Sequence, residues 1–479
     1  MLTLDKNERL AMWDRVIAGI EDYIDTLPGK PCAMEFGHKE LRDKIGSIDF
    51  NTPMTPAEAV DFAADALREY QVHVPHPRYY GLFNPAPATA SIAADALVAA
   101  FNPQLATWHH NPIGCEIERH LIRSIAERFG YSPEETDGSF TSGGAEANHT
   151  ALLTALVDAF PEYAAGGLRA LDSQPVLYAS AESHHSISKA ARLCGLGAEA
   201  VRSVPVDQAF RMIPDELTKQ IHRDRAEGLL PFFVVATIGS TNAGVIDPIS
   251  AIADVARDES LWFHADAAWG GAAVLVPGLR SHLAGIERAD SIIFDAHKWL
   301  ATPMGAGMYF TRHPDILHRT FALSADYMPT GSREIDAADP YERSMQCSRR
   351  FIGLKLFLSL LVAGWEGYEK MIRRHVEMGD LLRSRLGASS WAIVNDTPLP
   401  LVCFVDDTGP CGDEEPRLKA IADEIVTSGR AWISSTRIGG SKPVLRVCIM
   451  NHRTVHDDIE ALVHDLNRAR DQIGGQNSK

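Results

Sequence analysis

LWFHADAAWGG (261–271) and ADSIIFDAHKW (289–299) decide the fold. Each is a short apolar run that closes on polar residues, Asp266 in the first and Asp295, His297 and Lys298 in the second. Apolar runs of this length without alternation are strands covered on both faces. FFVVAT (232–237) and GAGMYFTR (305–312) repeat the pattern on either side, and stretches with helical period such as GCEIERHLIRSIAERFG (114–130) alternate with them. Strands alternating with helices predict an α/β domain built on a mostly parallel sheet, here over residues 76–365.

Outward from that domain, residues 1–75 read as helices, with PAEAVDFAADALREY (56–70) placing apolar positions at helical spacing. This segment is too small for a core of its own and is expected to pack on a partner subunit. FIGLKLFLSLLVAGWEGYEKMIRRHVEMGDLLRSRL (351–386) reads as a long connecting helix. Residues 366–479 then form a small C-terminal α+β domain from PLPLVCFVDD, PVLRVCIMN and TVHDDIEALVHDLNRARDQI.

Composition narrows the partners. A formal charge of -17 over 479 residues, without a cluster of Lys and Arg, argues against nucleic acid and anionic membranes and for a small ligand. Seven cysteines (Cys32, Cys115, Cys194, Cys347, Cys403, Cys411, Cys448) form no CxxC pair and read as reduced thiols of a cytosolic protein. MLTLDKNERLAMWDR at the start mixes both charges with apolar positions, and no later run is apolar enough for a bilayer, so neither export nor membrane anchoring is expected.

In an open α/β sheet ligands gather at the carboxyl ends of the strands, where Asp266 and Lys298 are expected to face one ligand. Desolvation beside an apolar strand favours the neutral lysine amine that forms Schiff bases. Alone, Lys298 reads equally well as a surface lysine and Asp266 as a turn residue. FTSGGAEAN (140–148) leads two glycines into a helix, so the backbone amides of Gly143, Gly144 and Ala145 are a candidate phosphate cradle, although SGG is also a common turn. In HHSISKAARLCG (184–195), His185 precedes a helix and can lay its ring on a flat cofactor or simply cap the helix. The pairs His109-His110 and His184-His185 point apart as sequence neighbours, and no metal is predicted.

Together these segments resemble the group II pyridoxal-phosphate decarboxylases, the family of the aromatic-amino-acid, glutamate and 2,4-diaminobutyrate decarboxylases. The resemblance runs in order through HPRYYGLFNP (76–85), NPIGCEIE (111–118), TSGGAEAN (141–148), HHSISKA (184–190), ATIGSTNAGVIDPI (236–249), HADAAWGG (264–271), ADSIIFDAHKW (289–299), QCSRRFIGLK (346–355) and LRVCIMNHRT (445–454). It implies fold type I, the aspartate-aminotransferase-like architecture with a seven-stranded sheet. It also implies pyridoxal 5'-phosphate as cofactor, a homodimer with active sites at the subunit interface, and decarboxylation of an L-amino acid.

Carried over by position, the resemblance makes Lys298 the amine that holds the cofactor, Asp266 the partner of its ring nitrogen and His185 the ring stacked upon it. Gly144 and Ala145 would bind the phosphate, Thr241 and Ala268 would line the pocket, and His297 would contact the phosphate or the substrate carboxylate. Asp295 stands where some members carry an asparagine near the phosphate; a carboxylate there would repel phosphate, so it is not given that task. A loop tyrosine would return the proton after CO2 leaves, Tyr341 by spacing, with Tyr327 at the base of the loop.

For the substrate, Tyr79, Tyr80, Phe83, Phe101 and Trp108 offer an apolar lining that suits an aromatic L-amino acid, or else plain core packing. The alternative is an acidic or diamino acid; an acidic substrate would need a buried cation, for which Arg78 and Arg437 are candidates. An aldehyde synthase would share the whole cofactor site. Arg446 in the small domain keeps an aminotransferase in view, and a degenerate homologue acting as a scaffold would not be expected to retain Lys298, Asp266 and His185 together.

Overall fold

The computed structural model describes residues 2–323, 339–408 and 414–476. Seven strands form the large sheet: β1 Asp137–Thr141, β2 Pro175–Ser180, β3 Val201–Val204, β4 Leu230–Thr237, β5 Trp262–Asp266, β6 Ser291–Asp295 and β7 Gly307–Thr311. Their order is β1-β7-β6-β5-β4-β2-β3, with β7 antiparallel to both neighbours and the pairs β6–β5–β4–β2–β3 parallel. Six strands therefore share one direction, and the ends of β1, β5 and β6 lie along one edge.

The unbroken apolar runs of the sequence follow from covering both faces. Val234 and Ala236 of β4 join a core with Ile122, Leu217 and Ile252, while Phe233 and Val235 join a second core with Leu152 and Ile187. Successive side chains leave a strand on opposite faces, so a strand between two helical layers needs an apolar residue at every position. The helices Pro112–Phe129, Pro214–Ala226 and Ile249–Asp258 supply one layer, and Gly144–Ala159 and Ser186–Leu193 the other.

A four-stranded antiparallel sheet, β8 Trp391–Ile393, β9 Leu401–Asp406, β10 Ser434–Ile438 and β11 Lys442–Cys448, lies in the order β10-β11-β9-β8. It shares a core with the helices Glu414–Thr427 and His456–Gln476. The long helix Leu354–Gly387 links the two sheets and breaks at Gly364, whose φ of 62° is the left-handed conformation that glycine tolerates. At the start of the chain, the helices Lys6–Thr26 and Pro56–Glu69 are each closed by a capping box, Asp5 with Glu8 and Thr55 with Glu58. They pack on each other through the Arg15–Asp61 ion pair and the Arg68 bond to the Gly19 carbonyl, and none of their residues is buried.

Candidate active site

The carboxyl edge of the large sheet gathers the predicted chemistry. Asp266 ends β5 and is nearly buried; its Oδ2 accepts from Asn148 Nδ2 at 3.0 Å and its Oδ1 from the Ala268 amide at 3.2 Å. Behind it, Trp262 Nε1 donates to Ser291 Oγ at 2.9 Å, Ser291 meets His264 Nδ1 at 2.8 Å, and His264 Nε2 meets Asn148 Oδ1 at 2.9 Å. Indole can only donate, so the polarity runs one way: Ser291 donates to His264, His264 to Asn148, and Asn148 to Asp266. Burial pushes the His264 pKa down to about 4, which keeps its ring neutral in this relay. The carboxylate is thus fixed as an acceptor facing the pocket.

Lys298 follows β6 by three residues. Its Nζ lies 2.9 Å from Asp295 Oδ2 and 5.8 Å from the centre of the Phe83 ring. Asp295 is 1% exposed, and His297 Nε2 stands 4.0 Å from the same oxygen. His297 Nδ1 accepts from the Ala306 amide at 3.2 Å, and burial lowers the pKa of its ring.

The candidate cradle lies against these groups. In the helix Gly144–Ala159 the Ala147 amide is the first to reach back four residues, to the Gly143 carbonyl, so the amides of Gly144 and Ala145 precede the intrahelical ladder. A Cβ on Gly144 would lie 2.8 Å from Asp295 Oδ2 and 3.6 Å from the Ala268 Cβ, and one on Gly143 3.5 Å from His297 Cε1. At Gly144 a bare backbone lies against the β6 loop, and a helix N-terminus with free amides beside a lysine and an aspartate suits a phosphorylated ring.

One expectation is corrected here. His185 is exposed at the head of the helix Ser186–Leu193. His184 is the ring turned inward: its Nδ1 meets Ser186 Oγ at 2.8 Å, and that hydroxyl also receives Asn148 Nδ2. Burial lowers the His184 pKa, opposed by the nearby charge of Asp266, with Lys298 and Asp295 also within range. The two rings lie against each other, centroids 4.0 Å apart, so the pair does not point apart as expected; what separates them is that His184 bonds Ser186 while His185 faces solvent.

The aromatic residues divide. Phe83 is in the pocket, stacked on Trp269 at 4.7 Å with the Arg446 guanidinium 4.9 Å from its centre. Tyr80 is fully buried in the core of the small domain and donates its hydroxyl to the Asp458 carbonyl. Tyr79 packs on Trp432 at 5.3 Å and accepts from the Leu82 amide. The chain turns at Gly81, where a Cβ would meet the Trp432 ring at 2.1 Å, and this turn separates Phe83 from the two tyrosines. Phe101 is 79% exposed at the end of its helix. Trp108 bonds Glu116 through its indole and lines a cavity of about 260 Å³ with Asp137, Arg343 and Arg349. In this chain, Tyr79, Tyr80, Phe101 and Trp108 therefore do not form the lining expected of them.

Tyr341 also lies elsewhere. It sits in the short helical turn Pro340–Arg343, its hydroxyl donating to Glu342 and its amide to the Ala106 carbonyl, beside the Arg343–Asp137 ion pair. Asp137 opens β1 whereas the cradle follows its end, so the Arg343–Asp137 pair beside Tyr341 stands at the other end of that strand from the cradle. Tyr327 lies outside the described residues.

Arg446 matters more than the sequence suggested. It is 3% exposed, donates through Nε to the Thr241 carbonyl at 2.9 Å and through Nη1 to the Gly81 carbonyl, and leaves Nη2 buried with no partner among the described residues. Thr241 thus meets the site through its backbone. Arg78 and Arg437, the other candidate cations, are engaged by Asp458 and Glu415. Asn148 and Ser186 were also missed; the alternation of β5, which sends His264 and Asp266 to one face, was the available clue.

A mostly parallel seven-stranded sheet, a smaller antiparallel domain and a lysine–aspartate pair at the strand ends define a fold type I enzyme that uses pyridoxal phosphate. The description "Pyridoxal-dependent decarboxylase conserved domain" matches residues 49–406, and the chain belongs to this family of amino acid carboxy-lyases. It is 28% identical over 478 residues to an aromatic-L-amino-acid decarboxylase of Bacillus atrophaeus, covering 98% of this chain and 97% of that one. To the cysteine sulfinic acid decarboxylase of Mus musculus it is 31% identical over 410 residues, with 83% of each chain covered. The crystal structure of mouse CSAD superposes with a TM-score of 0.90 at 27% identity, over 97% of this chain and 99% of that one.

Proposed function

We propose that this pyridoxal-dependent decarboxylase converts an aromatic L-amino acid to its amine and CO2. Lys298 is the amine that holds the cofactor carbonyl carbon, and the Gly144 and Ala145 amides take its phosphate, with His297 alongside. Asp266, fixed as an acceptor by Asn148 and the Ala268 amide, keeps the proton on the ring nitrogen. His184 covers the ring, while Ala268 and the Thr241 backbone line the pocket. When bound, the cofactor supplies an electron sink for the pair left at the α-carbon as CO2 departs. The free Nη2 of Arg446 takes the substrate carboxylate and so sets the angle at which it leaves.

The observation that carries the aromatic reading is the Phe83 ring, near both Lys298 and Arg446 and backed by Trp269, a flat apolar face against which a side chain would rest. A second reading, an acidic amino acid, is favoured by curated relatives named cysteine sulfinic acid decarboxylase and acidic amino acid decarboxylase at 31% and 33% identity. The test is a panel of L-tyrosine, L-DOPA, L-phenylalanine and L-tryptophan against L-glutamate, L-aspartate, L-cysteine sulfinate and L-2,4-diaminobutyrate, scoring amine, aldehyde, peroxide and CO2. Aromatic substrates are expected to lead in kcat/KM by about 10²-fold or more; a lead for the acidic set would replace the first reading with the second.

The same proposal includes a homodimer. Leu10, Trp13, Ile17 and Ile20 are 51%, 50%, 56% and 39% exposed and form one stripe on the helix Lys6–Thr26. A second copy of the chain is the economical cover for such a face. Sedimentation at assay concentration should give twice the 52.4 kDa chain; an active monomer would contradict it.

A further inference from the structure

Asp295 does not serve the cofactor in any way described so far, yet it occupies the wall of the phosphate cradle. Its Oδ2 lies 2.8 Å from where a Cβ on Gly144 would stand and pairs with Lys298 at 2.9 Å. Its Oδ1 is buried with no hydrogen-bond partner among the described residues. The charged groups around it are Lys298 and His297 from its own loop, His184 from the loop after β2 and Asp266 from β5. Glu146, on the helix of the cradle, turns away to cap Ser142 and receive Gln346. Among the described residues Lys298 is thus the one full positive charge in contact with Asp295, and it is the amine that bonds to the cofactor.

We infer that Asp295 opposes the cofactor: it holds the Lys298 amine when the site is empty and repels the phosphate when the site is filled, so that loading follows the free cofactor supply. Two physical effects act together. The Lys298–Asp295 contact must be given up to free the amine that bonds to carbon, and the buried carboxylate then lies in the same desolvated wall as the phosphate. Like charges in a desolvated site are costly, and an unpartnered buried oxygen has no donor to offset them.

This inference rests on the phosphate lying at Gly144 and Ala145, and the experiment separates the two claims. The affinity of the cofactor-free protein for pyridoxal 5'-phosphate and for pyridoxal, which lacks the phosphate, is measured by absorbance and equilibrium dialysis in wild type, Asp295→Asn and Ala145→Pro. Asparagine has the same shape without the charge, and circular dichroism confirms that each variant is folded. Asp295→Asn is expected to tighten pyridoxal 5'-phosphate by about tenfold or more and pyridoxal by clearly less. No gain, or equal gains for both ligands, would overturn the role of Asp295. Ala145→Pro removes one candidate amide at a position where helices accept proline, and it is expected to weaken the phosphorylated ligand alone. Unchanged affinity there would overturn the cradle itself, whatever Asp295→Asn does.

Discussion

The two edges of the seven-stranded sheet differ in how they are built. At the carboxyl edge, Asp266, Lys298, His184 and the Gly143–Gly144 turn converge from four strand ends and share a pocket. At the amino edge, Trp108, Pro340 and the Arg343–Asp137 pair surround a cavity walled by ion pairs, including Arg349 with Glu118. The first edge gathers groups that a reaction uses, whereas the charges of the second are spent on one another. A charge satisfied by a buried partner holds structure in place; a free one, such as Arg446 Nη2, is available to a ligand.

The contrast can be broken at its most exposed point, the adjacent histidines. His184→Ala removes the ring that faces Asp266 and Lys298 and should lower kcat/KM by about 10²-fold, the scale of losing a group that positions a reacting centre. His185→Ala should remain near wild type. The reverse pattern, read by steady-state kinetics of purified variants, would return the stacking role to His185. A smaller effect sharpens the other edge. Tyr341→Phe should change the rate of amine formation by less than about twofold and consume no oxygen, because the hydroxyl is bonded to Glu342 beside a pair at the other end of β1 from the cradle of its own chain. Aldehyde and peroxide at the expense of amine would show that Tyr341 reaches the site of a second copy and protonates the carbanion there.

Legibility in the sequence followed the same division. HADAAWGG and DAHKW could be placed because a polar residue closing an apolar strand has one edge to occupy. The SGG turn could be placed because it follows a strand and opens a helix. Side chains set by turns could not: His184 and His185 differ by one residue at a helix start, and Tyr79, Tyr80 and Phe83 are separated by Gly81 and the Trp432 ring it abuts. Arg446 was visible as a residue, but its role depends on Thr241 and Gly81, which are 205 and 365 residues away in sequence. Asp295 was visible as a departure from the family pattern, and its pairing with Lys298 gives that departure a physical setting.

The central claim is that the carboxyl edge holds the cofactor through Lys298. Borohydride reduction of the loaded protein, followed by digestion and mass spectrometry, tests it directly, since reduction freezes the nitrogen–carbon bond wherever it has formed. The account predicts a pyridoxyl group on the peptide containing Lys298, about one per chain, and none on the Lys298→Ala protein. A label on another lysine at the same stoichiometry, or an undiminished label in the variant, would contradict it.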